Sequence, residues 1–355
     1  MLARKHWFTV ASAAVSIVTV YLLYRWLKGQ GGQIDLPTGR QAILYIVLGV
    51  AVYLLSFVMR GLRWRLLLGE VGVKAPLHET TGLLTVGYAA NTLLPARAGD
   101  VVRVFLMAQR MQAKPSLMVS TLIAERLLDV VVLATTFVIT SLIFAGGLPT
   151  GGKAIFGVAL CAVAVIGLLA VRWAIRSDHI PPGVRGILRD ASLAVRQLRG
   201  SKHLAQAAGL TIAAWTLESC VYLIAAHAVN IHLNLGSAAY VLSTAAMFTL
   251  IPSGPGFVGT MDSALAFTLH VLNEPKNLVG SYILTVRFIV FIPITVIGGV
   301  LLVVRYGGFA AIKAARASQF KENDEAEAAA KAHEPLPDLP TGEYATVPAD
   351  GPAPR

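Results

Sequence analysis

Glu125, Arg126 and Asp129 stand inside a long apolar run, Ser116 to Phe144. At ~1.5 Å rise per residue Glu125 lies roughly 15 Å beyond Lys114, about half of a ~30 Å hydrocarbon core. Charge at that depth costs at least ~2.5 kcal/mol per group, so such residues face a protein interior or a wet cavity and mark a functional site by default. Just upstream, Asn91, Pro95, Arg97, Gly99, Asp100 and Arg103 interrupt another hydrophobic segment. Glu125 and Asp129 are four residues apart and share a helix face. Two carboxylates so placed can carry a proton or a cation, act as a general base on a lipid headgroup, or hold a basic residue such as Arg103 or Arg287. The last alternative makes them a structural ion-pair network.

Arg97, Arg103, Arg126 and Arg287 form a basic set suited to bidentate capture of phosphate, and Asn91 accompanies them as a headgroup-binding candidate. Each arginine can equally neutralise Asp100, Glu125, Asp129 or Asp262, which with Glu218 are the charge-coupling or structural acids. Asp100, directly after Gly99, also suits a helix N-cap. The run PSGPGFVG (252–259) combines Pro252 and Pro255, which stop a helix, with Gly256 and Gly259, which admit unusual dihedrals. It lacks the lysine of a P-loop and reads as a tight membrane turn, matching Pro95 and Gly99 in the first interrupted segment. Arg60, Arg63 and Trp64 read as an interfacial anchor. His227 and His232 have no third ligand nearby, and Cys161 and Cys220 lie in apolar segments without metal or disulfide spacing. No metal or cofactor is expected. Nor is enzymatic activity, because no DxD, GxSxG or HExxH motif occurs.

The elements that must position these groups are membrane helices. The chain has 355 residues, is 55% hydrophobic and only 14% charged, and its mean hydropathy is +0.66, far from a soluble domain. Of the net charge of +11, the tail after Gln319 subtracts five, with eight acids against three bases. The basic remainder flanks apolar runs, which points to topology and anionic lipid rather than nucleic acid.

Six spans are expected, near Trp7–Leu27, Gln41–Met59, Ser116–Phe144, Ala154–Trp173, Leu204–Val229 and Leu278–Val304. The first is long for a signal peptide and has no small-residue cleavage site, so it is expected to stay. Two further segments, Leu77–Arg110 and Ser237–Leu272, are broken by turns and read as re-entrant hairpins entering from opposite faces, with tips near Pro95 and Pro255 that approach each other. Basic edges at Arg60–Lys74, Arg103–Lys114 and Arg172–Lys202 place both termini in the cytoplasm. Between Arg172 and Lys202 an amphipathic helix on the inner leaflet is implied. The expected architecture is an all-α polytopic membrane domain over 1–317, with inverted halves 1–145 and 154–304. A disordered acidic tail covers 318–355.

RGLRW (60–64), NTLLPARAGDVVR (91–103), ERLLD (125–129), PSGPGFVG and VRF around Arg287 together resemble the lysylphosphatidylglycerol synthase transmembrane family. The resemblance covers about Leu44 to Leu302, and departs from the family where Phe257 replaces a frequent glycine and Asp262 a usual glutamate. It implies a flippase-like module in a bacterial inner membrane, without the soluble aminoacyl-transferase domain of the two-part proteins. Its implied partners are membrane lipids, anionic phospholipid or isoprenoid, and lipid-biosynthesis enzymes. An enzyme modifying a lipid headgroup and a scaffold for a lipid-modifying complex remain the alternatives.

Overall fold

The structure is a computed structural model that describes residues 37–94, 97–144, 202–249 and 255–308, with Tyr21, Tyr24 and Arg25. Among these residues every regular element is helical: α1 Arg40–Glu70, α2 Leu77–Leu93, α3 Ala98–Met111, α4 Pro115–Phe144, α5 Lys202–Ala228, α6 Leu235–Phe248, α7 Thr260–Val271 and α8 Val279–Tyr306. Two 3-10 turns, Pro255–Phe257 and Lys276–Leu278, precede α7 and α8.

Four helices are long and apolar enough to cross a membrane: α1, α4, α5 over His203–Ala228, and α8 with its preceding turn. Apart from Tyr21, Tyr24 and Arg25, the expected span at Trp7–Leu27 lies outside the described residues, as do the span at Ala154–Trp173, the amphipathic helix expected between Arg172 and Lys202, Cys161 and the acidic tail. The outward faces of the long helices are apolar: Leu44, Val47 and Leu48 on α1 and Val296, Val300 and Val304 on α8 are exposed. An uninterrupted row of aliphatic side chains facing outward is what hydrocarbon solvates and water does not. The chain is a multi-pass membrane protein.

Two hydrophobic clusters organise the interior. One joins α1 to α5, α6, α7 and α8 through Phe57, Val221, Leu265, Tyr282 and Val286. The other joins the far end of α1 to α2, α3 and the end of α8 through Trp64, Leu84, Met107 and Tyr306, and Tyr88 packs against both. Without a hydrophobic drive between helices in lipid, small residues that let backbones approach do much of the joining. A Cβ on Gly298 of α8 would sit 2.6 Å from the Thr85 carbonyl oxygen of α2, and one on Gly61 of α1 only 3.2 Å from the Thr81 Cα. At Gly99 the added carbon would lie 1.9 Å from the Gly87 carbonyl oxygen, so α2 and α3 pack backbone to backbone.

At one end of the bundle Glu79 of α2 ties three elements together. It accepts hydrogen bonds from Arg110 of α3 at 2.9 Å, from Arg305 of α8 at 2.8 Å and from the Tyr306 hydroxyl at 3.1 Å. Burial raises the carboxyl, but the bonds from Arg110 and Arg305 outweigh it and hold Glu79 at about 2 against an ordinary 4.5. A depressed folded-state value stabilises the fold above pH 4.5, and the contribution is lost as pH falls towards 2. Thermal melts between pH 6 and 3 are therefore expected to fall more steeply for the parent than for Glu79→Gln, whose melting temperature is lower near neutrality.

Candidate functional site

Four arginines and four acids of α1, α3, α4 and α5 form a neutral network. Arg60 and Arg63 of α1 are 1% and 0% exposed, and Glu125 of α4 is 0% exposed. Arg63 bonds Asp129 at 2.5 Å, approaches Glu125 at 3.1 Å and donates to Thr211 of α5 at 3.0 Å. Arg103 of α3 grips the same Glu125 through two nitrogens, at 3.1 and 3.2 Å. Arg126 of α4 turns the other way and takes both oxygens of Asp100, at 2.9 and 3.0 Å. Arg60 pairs with Glu218 of α5, and the Trp215 indole donates to Asp129 at 3.0 Å. Buried ions are tolerated only when paired and hydrogen-bonded in this manner.

Local sequence explains the placement. Gly99 allows α3 to start against α2, and Asn91 of α2 accepts the Gly99 amide at 2.8 Å, capping α3 from its neighbour. Asp100 is therefore not the N-cap that its position after Gly99 suggests. Arg97 holds that place, in a left-handed conformation (φ 53°, ψ 37°) with no side-chain cap bond, and Asp100 in the first turn is released to bind Arg126. The anchor reading of Arg60, Arg63 and Trp64 is also corrected: α1 does not stop at Met59 but carries these residues inward. Trp64 is 1% exposed and donates to Thr121 at 3.0 Å. Their spacing was the available signal, since Tyr53, Phe57, Arg60, Trp64 and Leu67 make one helical stripe.

In the second half the pattern repeats in smaller form. Asp262, in the first turn of α7, bonds Arg287 of α8 at 2.5 and 2.8 Å and accepts the Gly259 amide at 2.9 Å. Arg287 also donates to the Gly256 and Phe257 carbonyls, at 3.2 and 3.4 Å. It pairs with Asp262 and does not join Glu125 and Asp129. Gly256 (φ 66°) and Gly259 (φ 89°) supply the turn, while Pro95 and Pro252 lie outside the described residues. Phe257 holds φ 54° without being glycine. Replacing it removes the ring in either case, but glycine is free at this dihedral and alanine is not. Phe257→Gly is expected to melt above Phe257→Ala by about 1 kcal/mol equivalent.

Two of the left-handed residues, Arg97 and Phe257, meet. The Arg97 guanidinium lies 5.5 Å from the Phe257 ring centroid and donates to the Thr249 hydroxyl at 3.2 Å and its carbonyl at 3.4 Å, crossing from the α2–α3 pair to the α6–α7 pair. Strained backbone is kept at ligand clamps and active sites when the surroundings hold it. Between the pairs opens a cavity of about 140 Å³, lined by Asn91, Thr92, Arg97, Arg126, Glu218, Thr249 and the rings of Tyr53, Tyr88, Trp215, Tyr222, Phe257 and Phe291. It has room for a small polar group, with a few polar side chains converging among aromatic rings. Glu125 and Asp129 do not line it, and with every oxygen facing an arginine or tryptophan partner they are not placed to act as general bases. Arg103 is likewise consumed by Glu125. Among the described residues Arg97 alone of the expected phosphate-binding arginines makes no ion pair with a carboxylate. No group of His, Cys, Asp and Glu that could hold a metal occurs among the described residues. His227 is exposed, and Cys220 is free and half-buried.

A family profile described as Lysylphosphatidylglycerol synthase TM region matches residues 5–298. A curated relative, glycosyltransferase AglD of Haloferax volcanii, is 23% identical over 64% of this chain and 43% of its own length. The chain thus spans less than half of the curated relative it matches. No solved structure matches. The relative overturns the expectation of a protein without enzymatic activity: it is named a glycosyltransferase, which points to an enzyme-related family. A missing short motif excludes only the chemistries that use that motif.

Proposed function

This chain belongs to the family of the lysylphosphatidylglycerol synthase transmembrane region, and on that footing we propose that it moves the headgroup of an anionic phospholipid or isoprenoid lipid between leaflets through the cavity at Arg97. The observation that carries the reading is that Arg97, ion-paired to no carboxylate among the described residues, reaches across a cavity walled by both helix pairs. The headgroup enters between the pairs while the acyl chains stay in lipid. Arg126 stands in the wall behind it, and Asn91, Thr92 and Thr249 offer neutral hydrogen bonds.

The same proposal includes the topology. α2, α3, α6 and α7 have 17, 14, 14 and 12 residues, or roughly 18 to 26 Å of rise, less than the ~30 Å core. We read the pairs as hairpins that enter without crossing, one from each face. Asp100–Arg126 and Asp262–Arg287, with separations of 26 and 25 residues, are the matching ion pairs of an inverted repeat. The termini are then cytoplasmic and the membrane a bacterial inner membrane, with lipid-biosynthesis enzymes as candidate partners. Single cysteines at the exposed positions 74 and 114, in a chain freed of Cys161 and Cys220, are expected to label from the same face of intact cells. Labelling from opposite faces would overturn the topology and the two-sided cavity together. For transport, the purified chain in liposomes is expected to accelerate leaflet exchange of a labelled anionic lipid at least tenfold over empty vesicles, and no acceleration with any anionic or polyprenyl phosphate lipid would refute it.

The relative's name favours a second reading, in which the module presents a lipid-linked substrate for glycosyl transfer. Mass spectrometry of a deletion strain separates the two. Loss of a glycosylated lipid supports the second, and an unchanged inventory with altered leaflet distribution supports the first.

A further inference from the structure

Resting on the lipid-handling reading, we infer that the cavity selects a headgroup with one net negative charge and no amine, namely a phosphodiester with a neutral polar substituent. The charges that line the cavity do not balance. Arg126 is taken by Asp100 and Glu218 by Arg60. Among the described residues the lining charge left without a carboxylate is Arg97. The sequence next to the cavity residues offers no carboxylate either, since 95–96 and 250–254 contain no Asp or Glu. One cation on the cavity wall is balanced by one anion.

An amine finds no seat there. The acid that lines the cavity, Glu218, is taken by Arg60. The other recognised way to hold an ammonium is an aromatic face, and arginines already occupy most of these. Arg60 lies 5.7 Å from the Tyr88 centroid and 4.9 Å from that of Trp215, Arg97 covers Phe257 at 5.5 Å, and Arg287 covers Phe291 at 5.3 Å. An ammonium entering beside Arg97 also meets like charge in a low-dielectric wall, where repulsion is far stronger than in water. A doubly charged phosphomonoester leaves one negative charge uncompensated. A neutral hydroxylated substituent suits Asn91, Thr92 and Thr249, whose groups can donate and accept.

The test titrates the purified full chain in detergent with short-chain phosphatidylglycerol, phosphatidic acid, phosphatidylethanolamine and lysylphosphatidylglycerol, with glycerol phosphate as a soluble control, and follows both thermal stabilisation and direct binding. Phosphatidylglycerol is expected to bind at least tenfold more tightly than the other three lipids. Glycerol phosphate is expected to give no shift, which separates a lipid site from a free-phosphate site. Arg97→Gln is expected to remove the preference with little change in melting temperature, and Arg97→Lys to retain part of it. Equal or tighter binding of an amine-bearing lipid or of phosphatidic acid overturns the charge rule while leaving lipid handling intact. Binding of none of the lipids fails both readings, and a full shift with glycerol phosphate reassigns the cavity to soluble phosphates.

Discussion

Replacing Arg63 with leucine is expected to destabilise the protein by about 3–5 kcal/mol, because it strips a buried cation from Glu125 and Asp129 at once. Glu125 is fully buried and keeps only Arg103; Asp129 keeps the Trp215 indole and an Arg126 contact at 3.7 Å. In a chain of this size the loss corresponds to a fall in melting temperature on the order of 10 °C. The control is the double variant Arg63→Leu/Asp129→Leu, which removes charge in balance and is expected to recover part of the loss. Thermal unfolding of the purified proteins in one detergent measures both. A single variant that melts within about 1 °C of the parent would show that the network carries no structural burden.

The second large effect is expected at Gly99. Alanine there would place its methyl carbon 1.9 Å from the Gly87 carbonyl oxygen and 2.6 Å from the Asn91 amide nitrogen. Both obstacles are backbone, so the helices must part. Overpacking of this kind costs about 1–3 kcal/mol and sometimes more. Parting α2 from α3 also breaks the Asn91 cap and shifts Asp100 and Arg103 relative to α4, so lipid exchange is expected to fall at least tenfold along with stability. Gly209→Ala in α5 is the matched control, since an added carbon there meets nothing within 4 Å and alanine inside a helix is favoured by about 0.5–1 kcal/mol. Circular dichroism melts and the liposome assay on both variants decide the matter.

Much of the fold was legible because hydrophobic length and turn residues are local signals. Leu77–Arg110 with a break at Pro95–Gly99 anticipates α2 and α3 over Leu77–Leu93 and Ala98–Met111, and Leu278–Val304 anticipates α8 over Val279–Tyr306. The pairing of charges was not legible, because it is set by which helices touch. Glu125 with Arg103 was among the sequence alternatives, but Arg63 was assigned to an interface on the ground that basic residues after an apolar run usually mark its end. Here α1 continues for a further eleven residues, to Glu70, and its arginines turn inward to acids that lie sixty or more positions away. Arg97 was one candidate among four. Only the three-dimensional count of partners separates it from Arg103, Arg126 and Arg287. Absent motifs are a poor guide to enzymatic character for a further reason: the relative is more than twice as long as the part the two chains share.

The glycine contacts have a mechanical consequence. Gly61, Gly99 and Gly298 fasten α2 to α1, α3 and α8 at distances that leave no layer of side chains to slide on. Helices joined in that way shear poorly, so α2 with its neighbours forms a rigid frame. Across the cavity the α2–α3 pair meets the α6–α7 pair through a softer contact, two hydrogen bonds from Arg97 to Thr249 and one guanidinium resting on the Phe257 ring. A ligand that draws the Arg97 guanidinium away from Thr249 removes those two bonds while the glycine-packed frame and the Arg287–Asp262 pair stay in place.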